Sequence, residues 1–192
     1  MLALVTGVAP IIVVHVCYLL SVQTGAVPTC FPYVEGCTSI SRAARYGLAN
    51  HLFKAVMLPV AALIAVFWCV AAAWLRTSAN GPAPRIAAMR LIGLIGALFL
   101  VLYATFLGVD GEAYRWMRRY GVTVYFSFTV LAQMLLASVL PHTWPRRALL
   151  LCCGGMLLLG LISLPLQHFV ADRDALLNAI EWSYALLMSS GF

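Results

Sequence analysis

Three ionisable side chains stand out within the apolar runs of this chain: His15, Lys54 and Glu181. Inside a bilayer such a group costs roughly 3 kcal/mol on insertion scales, so each needs a physical reason to be there. Read as helices, the runs place His15 near the end of the first and Glu181 near the start of the last. At 1.5 Å per residue both sit about 8 Å below the same interface. Asn178 precedes Glu181 by one helical turn and shares its face. Lys54 opens the second run at that same surface. Polar groups on separate helices at one level describe a pocket open to that side. Glu181 and His15 are the candidate catalytic pair or proton relay, and pairing Glu181 with Lys54 or His15 would lower its desolvation cost. The plainer reading is an ion pair that only fixes helix register, with Lys54 snorkelling to the surface.

The elements that must position these groups follow from composition. The chain has 192 residues, 64% hydrophobic and 9% charged, with mean hydropathy +0.97. A soluble domain carries roughly 25% charged residues. The solvent of this chain is therefore mostly lipid. A span needs about 20 apolar residues, and six runs qualify: 2–20, 52–75, 86–109, 121–140, 148–170 and 176–192. Each is too long for a barrel strand, so the expected fold is all-α, one domain over 1–192 with six transmembrane helices. The first run lacks a basic flank and an A-x-A site and reads as a retained helix. The last barely spans. NGPAPR and PHTWPRR read as short turns, and Tyr125, Thr129 and Gln133 as interhelical hydrogen-bonding groups.

A net charge of +6 does not indicate nucleic acid here, because the basic residues lie between apolar runs and form no basic domain. Anchoring at the interface and attraction to lipid phosphates explain them better. Counting Lys and Arg does not orient the chain: five fall on the side of the termini, seven on the other with all the loop acids. The cysteines do orient it. Cys30 and Cys37 are spaced C-x6-C in a loop with Pro28, Pro32 and Gly36, so the chain can turn back and join them. Closing that loop contributes about 2 kcal/mol on the entropic model. Disulfides persist in oxidising compartments, which puts loop 22–51 outside the cytoplasm and both termini inside it. Cys17, Cys69, Cys152 and Cys153 fall within the runs and read as packing residues.

The third loop, DGEAYRWMRRYG, mixes Arg115, Arg118 and Arg119 with Tyr114, Trp116 and Tyr120. As an anchor it sets rings at headgroup level and guanidiniums against phosphates. With Arg42 and Arg45 of the first loop it would form a phosphate-recognising mouth. There is no G-x-S-x-G, P-loop or H-E-x-x-H. The histidines at 15, 51, 142 and 168 lack a paired metal spacing, although 15, 51 and 168 could converge on one side. Neither a metal nor a cofactor is expected, and an enzymatic role stays open.

The order of features resembles a known family. F-P-Y (Phe31 to Tyr33) and I-S-R (Ile40 to Arg42) follow the first helix. G-V-x-x-Y-F (Gly121, Val122, Tyr125, Phe126) opens the fourth, and Glu181–Trp182 lies in the last. This is similar to the six-helix superfamily of DRAM, Frag and Sfk membrane proteins and the Golgi factor that helps remodel GPI-anchor lipids. The resemblance implies a six-helix bundle with cytoplasmic termini and work on membrane lipids, and it carries Glu181 and Trp182 over as site candidates. Eleven Arg against one Lys suggests a GC-rich bacterial gene, hence an inner membrane and a substrate other than a GPI anchor.

The expected function is to bind, remodel or distribute a membrane lipid, anionic lipids included. Glu181, His15, Lys54, Asn178 and Trp182 would line the pocket, Arg42, Arg45, Arg115, Arg118 and Arg119 would meet phosphate, and the stapled loop would cap the site. The alternatives are a small proton-coupled transporter and a subunit docked on a larger membrane enzyme or on a second copy of itself.

Overall fold

Backbone surrounded by hydrocarbon must satisfy its own hydrogen bonds, and a helix does so locally. The computed structural model, which describes residues 1–78 and 82–192, is helical accordingly. Its elements are α1 (Leu2–Gln23), α2 (Ile40–Ala43), α3 (Gly47–Thr77), α4 (Ala83–Phe106), α5 (Glu112–Val139), α6 (Trp144–Leu166) and α7 (Arg173–Ser190). Five of them, α1, α3, α4, α5 and α6, are long and apolar enough to cross a membrane. The 18 residues of α7 include Arg173, Asp174 and Glu181, so α7 falls outside that set on composition. The turn expected at NGPAPR includes Asn80 and Gly81, which lie outside the described residues.

Every long helix after α1 starts before its apolar run, α3 and α5 by the most. α3 begins at Gly47 rather than 52 and α5 at Glu112 rather than 121, so most of DGEAYRWMRRYG is helix, not loop. The reason is local. Gly111, at φ 128°, is the turn residue there, and nothing from Glu112 to Tyr120 breaks a helix. Glu112 in the first turn also complements the helix dipole. At 1.5 Å per residue α3 and α5 run about 46 and 42 Å, well beyond a hydrocarbon core of about 30 Å.

Each long helix packs on the next in the chain, and α7 returns to α1, closing a ring. Small residues set how tightly. Gly96 and Gly121 let α4 and α5 approach until an added Cβ would lie 3.1 Å from Thr129 and from Tyr103. That contact is the most extensive in the fold, whereas α6 packs more sparsely on α5 and α7. α1 and α7 run antiparallel. A Cβ on Gly7 would lie 2.6 Å from the Ser189 carbonyl, while His15 and Tyr18 meet Trp182 further along. Both termini consequently lie at one end of the bundle.

Between α3 and α4, Gly93 faces the buried indole of Trp68, and a Cβ there would overlap the ring. Gly93→Ala should therefore cost about 1–3 kcal/mol by overpacking. Thermal melting in detergent reads this directly, and an unshifted transition would mean that the ring yields freely. Of the expected interhelical bonds, Gln133 makes one, donating from Nε2 to the Met188 carbonyl at 2.9 Å. The Thr129 hydroxyl is buried without a partner, and Tyr125 lines a central cleft instead.

Candidate functional site

The segment between α1 and α3 is folded. Cys30 and Cys37 are joined by a disulfide with their Cα atoms 6.4 Å apart. The Tyr18 hydroxyl donates to the Cys30 carbonyl at 2.7 Å and accepts from its amide at 2.8 Å. Asn178 donates to the Gly36 carbonyl at 2.8 Å, and the Trp182 indole N–H donates to the Thr38 carbonyl at 2.9 Å. Ser21 donates to the Ala43 carbonyl at 2.6 Å. These bonds seat the loop across α1 and α7. Asn50 adds a brace, donating to the carbonyls of Ala44 and Leu107, each at 3.0 Å.

Gly36 makes the closest approach. Its φ is +59°, and an added Cβ would overlap the Ala175 carbonyl of α7. The left-handed conformation alone costs a substituted residue about 1–2 kcal/mol. Gly36→Ala should unseat the loop while the helices stay packed. Limited proteolysis would then cut residues 28–38 faster at a nearly unchanged melting temperature, and unaltered cleavage would refute the close seating.

Beneath the loop lies a cleft walled by α1, α2, α3, α4, α5 and α7. Its cavity volume is about 40 Å³, and it is partly open to the surroundings. One water needs roughly 10–15 Å³ on that measure. The cleft is thus narrow, suited to a thin chain or a few water-sized groups. Most of the wall is apolar, with Val14, Phe53, Met57, Leu100, Val122 and Met188 among its residues. The polar side chains on it include His15, Tyr33, Tyr103, Tyr125 and Glu181.

Glu181 accepts a long hydrogen bond, 3.4 Å, from the Ser41 amide. The Ser41 and Tyr103 hydroxyls are bonded to each other at 2.9 Å. His15 Nδ1 lies 2.7 Å from the Ile11 carbonyl, which can only accept, so Nδ1 carries a hydrogen. In the neutral ring Nε2 is then left to accept from the Tyr33 hydroxyl, 3.0 Å away. Burial holds the Tyr33 phenol above its ordinary pKa, so the proton it donates stays in place. The fully buried Trp182 joins the parts, its ring 5.4 Å from His15, 5.7 Å from Tyr33 and 5.9 Å from Tyr18.

His15, Glu181 and Trp182 all line the cleft; helix rise implied a shared level for the first two. Lys54 is not with them: it is half-buried on α3, off the cleft wall. The expected pairing of Glu181 with Lys54 or His15 does not form, because Phe53 and Met57 present that helix to the cleft and His15 bonds Tyr33. Asn178 serves the loop. Arg42 is exposed, and Arg45 is half-buried with an unpartnered Nε. Arg118 reaches the carbonyls of Phe106 (3.2 Å) and Val109, satisfying acceptors that the end of α4 leaves open. Arg115 and Arg119 are exposed one turn apart, beside the Trp116–Tyr120 stack with its centroids 5.5 Å apart. His51 and His168 are exposed and off the cleft wall. Among the described residues no three metal-binding side chains cluster.

Tyr18, Tyr33, Ser41, Asn50 and Tyr103 are the parts that sequence reasoning missed. Tyr33 had a visible signal, since it lies within the ring that the two cysteines close. The chain matches no family model, no curated protein and no solved structure. Its function is accordingly read from the site.

Proposed function

We propose that this chain is an integral membrane protein that binds a membrane lipid in the cleft, with the stapled loop as its cap. One observation carries the reading: a narrow apolar cleft that combines hydrocarbon walls with a carboxylate, an imidazole and phenols beneath a folded loop. Apolar walls suit an acyl chain, and the polar groups suit the headgroup end. In this reading α7 makes a sixth crossing, and the disulfide supports a capped end outside the cytoplasm with both termini inside. A bacterial inner membrane and the likeness to the six-helix lipid-remodelling superfamily belong to the same reading. Remodelling or distribution of the bound lipid is the activity such a site would serve, with Glu181 and His15 as its proton-handling groups.

Native mass spectrometry of gently extracted protein tests this reading. The expected result is retained lipid in the wild type and its loss in Ala185→Phe, which sets a ring into the cleft. Lipid retained equally by both would place it elsewhere. Proton-driven flux in liposomes that depends on Glu181, without retained lipid, would make the protein a carrier.

The surface arginines have a separate role, meeting phosphates of the surrounding leaflet. Neutralising Arg115 and Arg119 should lower the share of anionic over zwitterionic lipid carried by the solubilised protein, an effect that shrinks as salt rises. Arg118→Gln should instead lower the melting temperature, since its bonds are to α4. An unchanged anionic share in the double variant would leave the pair without that role.

A further inference from the structure

The carboxyl group in the cleft has no cationic partner among the described residues. Among the described residues no Lys, Arg or His nitrogen pairs with the Glu181 carboxylate within 4.0 Å. Its Ser41 partner, at 3.4 Å, is a neutral amide near the limit of hydrogen bonding. Both His15 nitrogens are occupied, by the Ile11 carbonyl and the Tyr33 hydroxyl. Arg118 is committed to α4, and Arg45 and Lys54 are off the wall. The cleft that Glu181 lines is rich in aromatic side chains, Tyr33, Tyr103, Tyr125, Phe126 and Trp182. A half-buried carboxylate in a cleft lined by aromatic rings, with no cation beside it, is complementary to an organic cation.

We propose that the cleft takes a primary ammonium group, as on an ethanolamine-type headgroup, bonded to Glu181 and set against the aromatic rings. A carboxylate accepts strongly from an ammonium N–H, and each ring adds attraction when water is excluded. Size selects among cations. A primary ammonium is about as large as a water molecule, and the 40 Å³ open to such spheres admits it. A trimethylammonium is bulkier and has no N–H to give the carboxylate. A headgroup with phosphate but no amine would meet the carboxylate with like charge. The inference rests on the lipid reading above only for the chain attached to the amine.

The test presents the purified full chain with equal phosphatidylethanolamine, phosphatidylcholine and phosphatidylglycerol of identical chains. Retained lipid is counted by native mass spectrometry, and free ethanolamine is tested by thermal shift. Phosphatidylethanolamine should be retained about tenfold over either competitor, the worth of one charged hydrogen bond. Glu181→Gln should bring that ratio to about one. The wild-type ratio needs no variant, so a poorly folding Glu181→Gln would not hide the answer. Lipid retained without headgroup preference overturns the ammonium inference and leaves the lipid reading standing. A shift with ethanolamine but no retained lipid keeps the amine site and removes the lipid reading. Neither lipid nor ethanolamine binding overturns both.

Discussion

Trp182→Ala should lower the stability of the bundle by about 3–5 kcal/mol, the cost of removing a buried aromatic side chain. The indole is 0% exposed and sits where α1, α7 and the capping loop meet. Its ring contacts Tyr18 and His15 on α1 and Tyr33 of the loop, while its N–H holds the Thr38 carbonyl at 2.9 Å. No neighbour can refill that volume without moving a helix. Trp182→Phe separates the two contributions. It keeps most of the packing but leaves the Thr38 carbonyl buried and unpaired, a loss of about 1–3 kcal/mol. Thermal melts of both variants should order wild type above Phe above Ala. A wild-type melt for the alanine variant would show that the aromatic cluster does not hold the loop to the helices.

What the sequence makes legible here follows from the range of each interaction. The spans can be read because hydropathy is additive along a run, and the 30–37 disulfide because Pro28, Pro32 and Gly36 let a short loop close. The start of α5 cannot be read from polarity. Arginines mark where hydrocarbon ends, not where a helix ends, and Tyr, Trp and Met continue one freely. The level of His15 and Glu181 follows from helix rise alone. Their partners do not, since Tyr33 is 18 residues from His15 and Ser41 is 140 from Glu181, and both belong to a loop whose fold depends on the helices under it. Lys54 is a matter of phase. One residue beyond the cleft-facing Phe53 turns it about 100° away from the wall.

Glu181→Gln should leave the protein folded, with an unchanged or slightly higher melting temperature, and reduce lipid retention about tenfold. The carboxamide has the same shape, and its oxygen can still accept from the Ser41 amide. What it removes is a charge without a cationic partner inside the bundle, and losing that charge relieves desolvation. Were Glu181 instead half of an ion pair fixing helix register, neutralising it would leave a buried cation exposed to hydrocarbon and the melt would fall. Lys54, the cation such a pair would need, is off the cleft wall, so Lys54→Gln should change neither melting nor retention. The two variants measured together are decisive. An early melt for Glu181→Gln, with lipid still held by the surviving folded fraction, would return this carboxylate to a purely structural role.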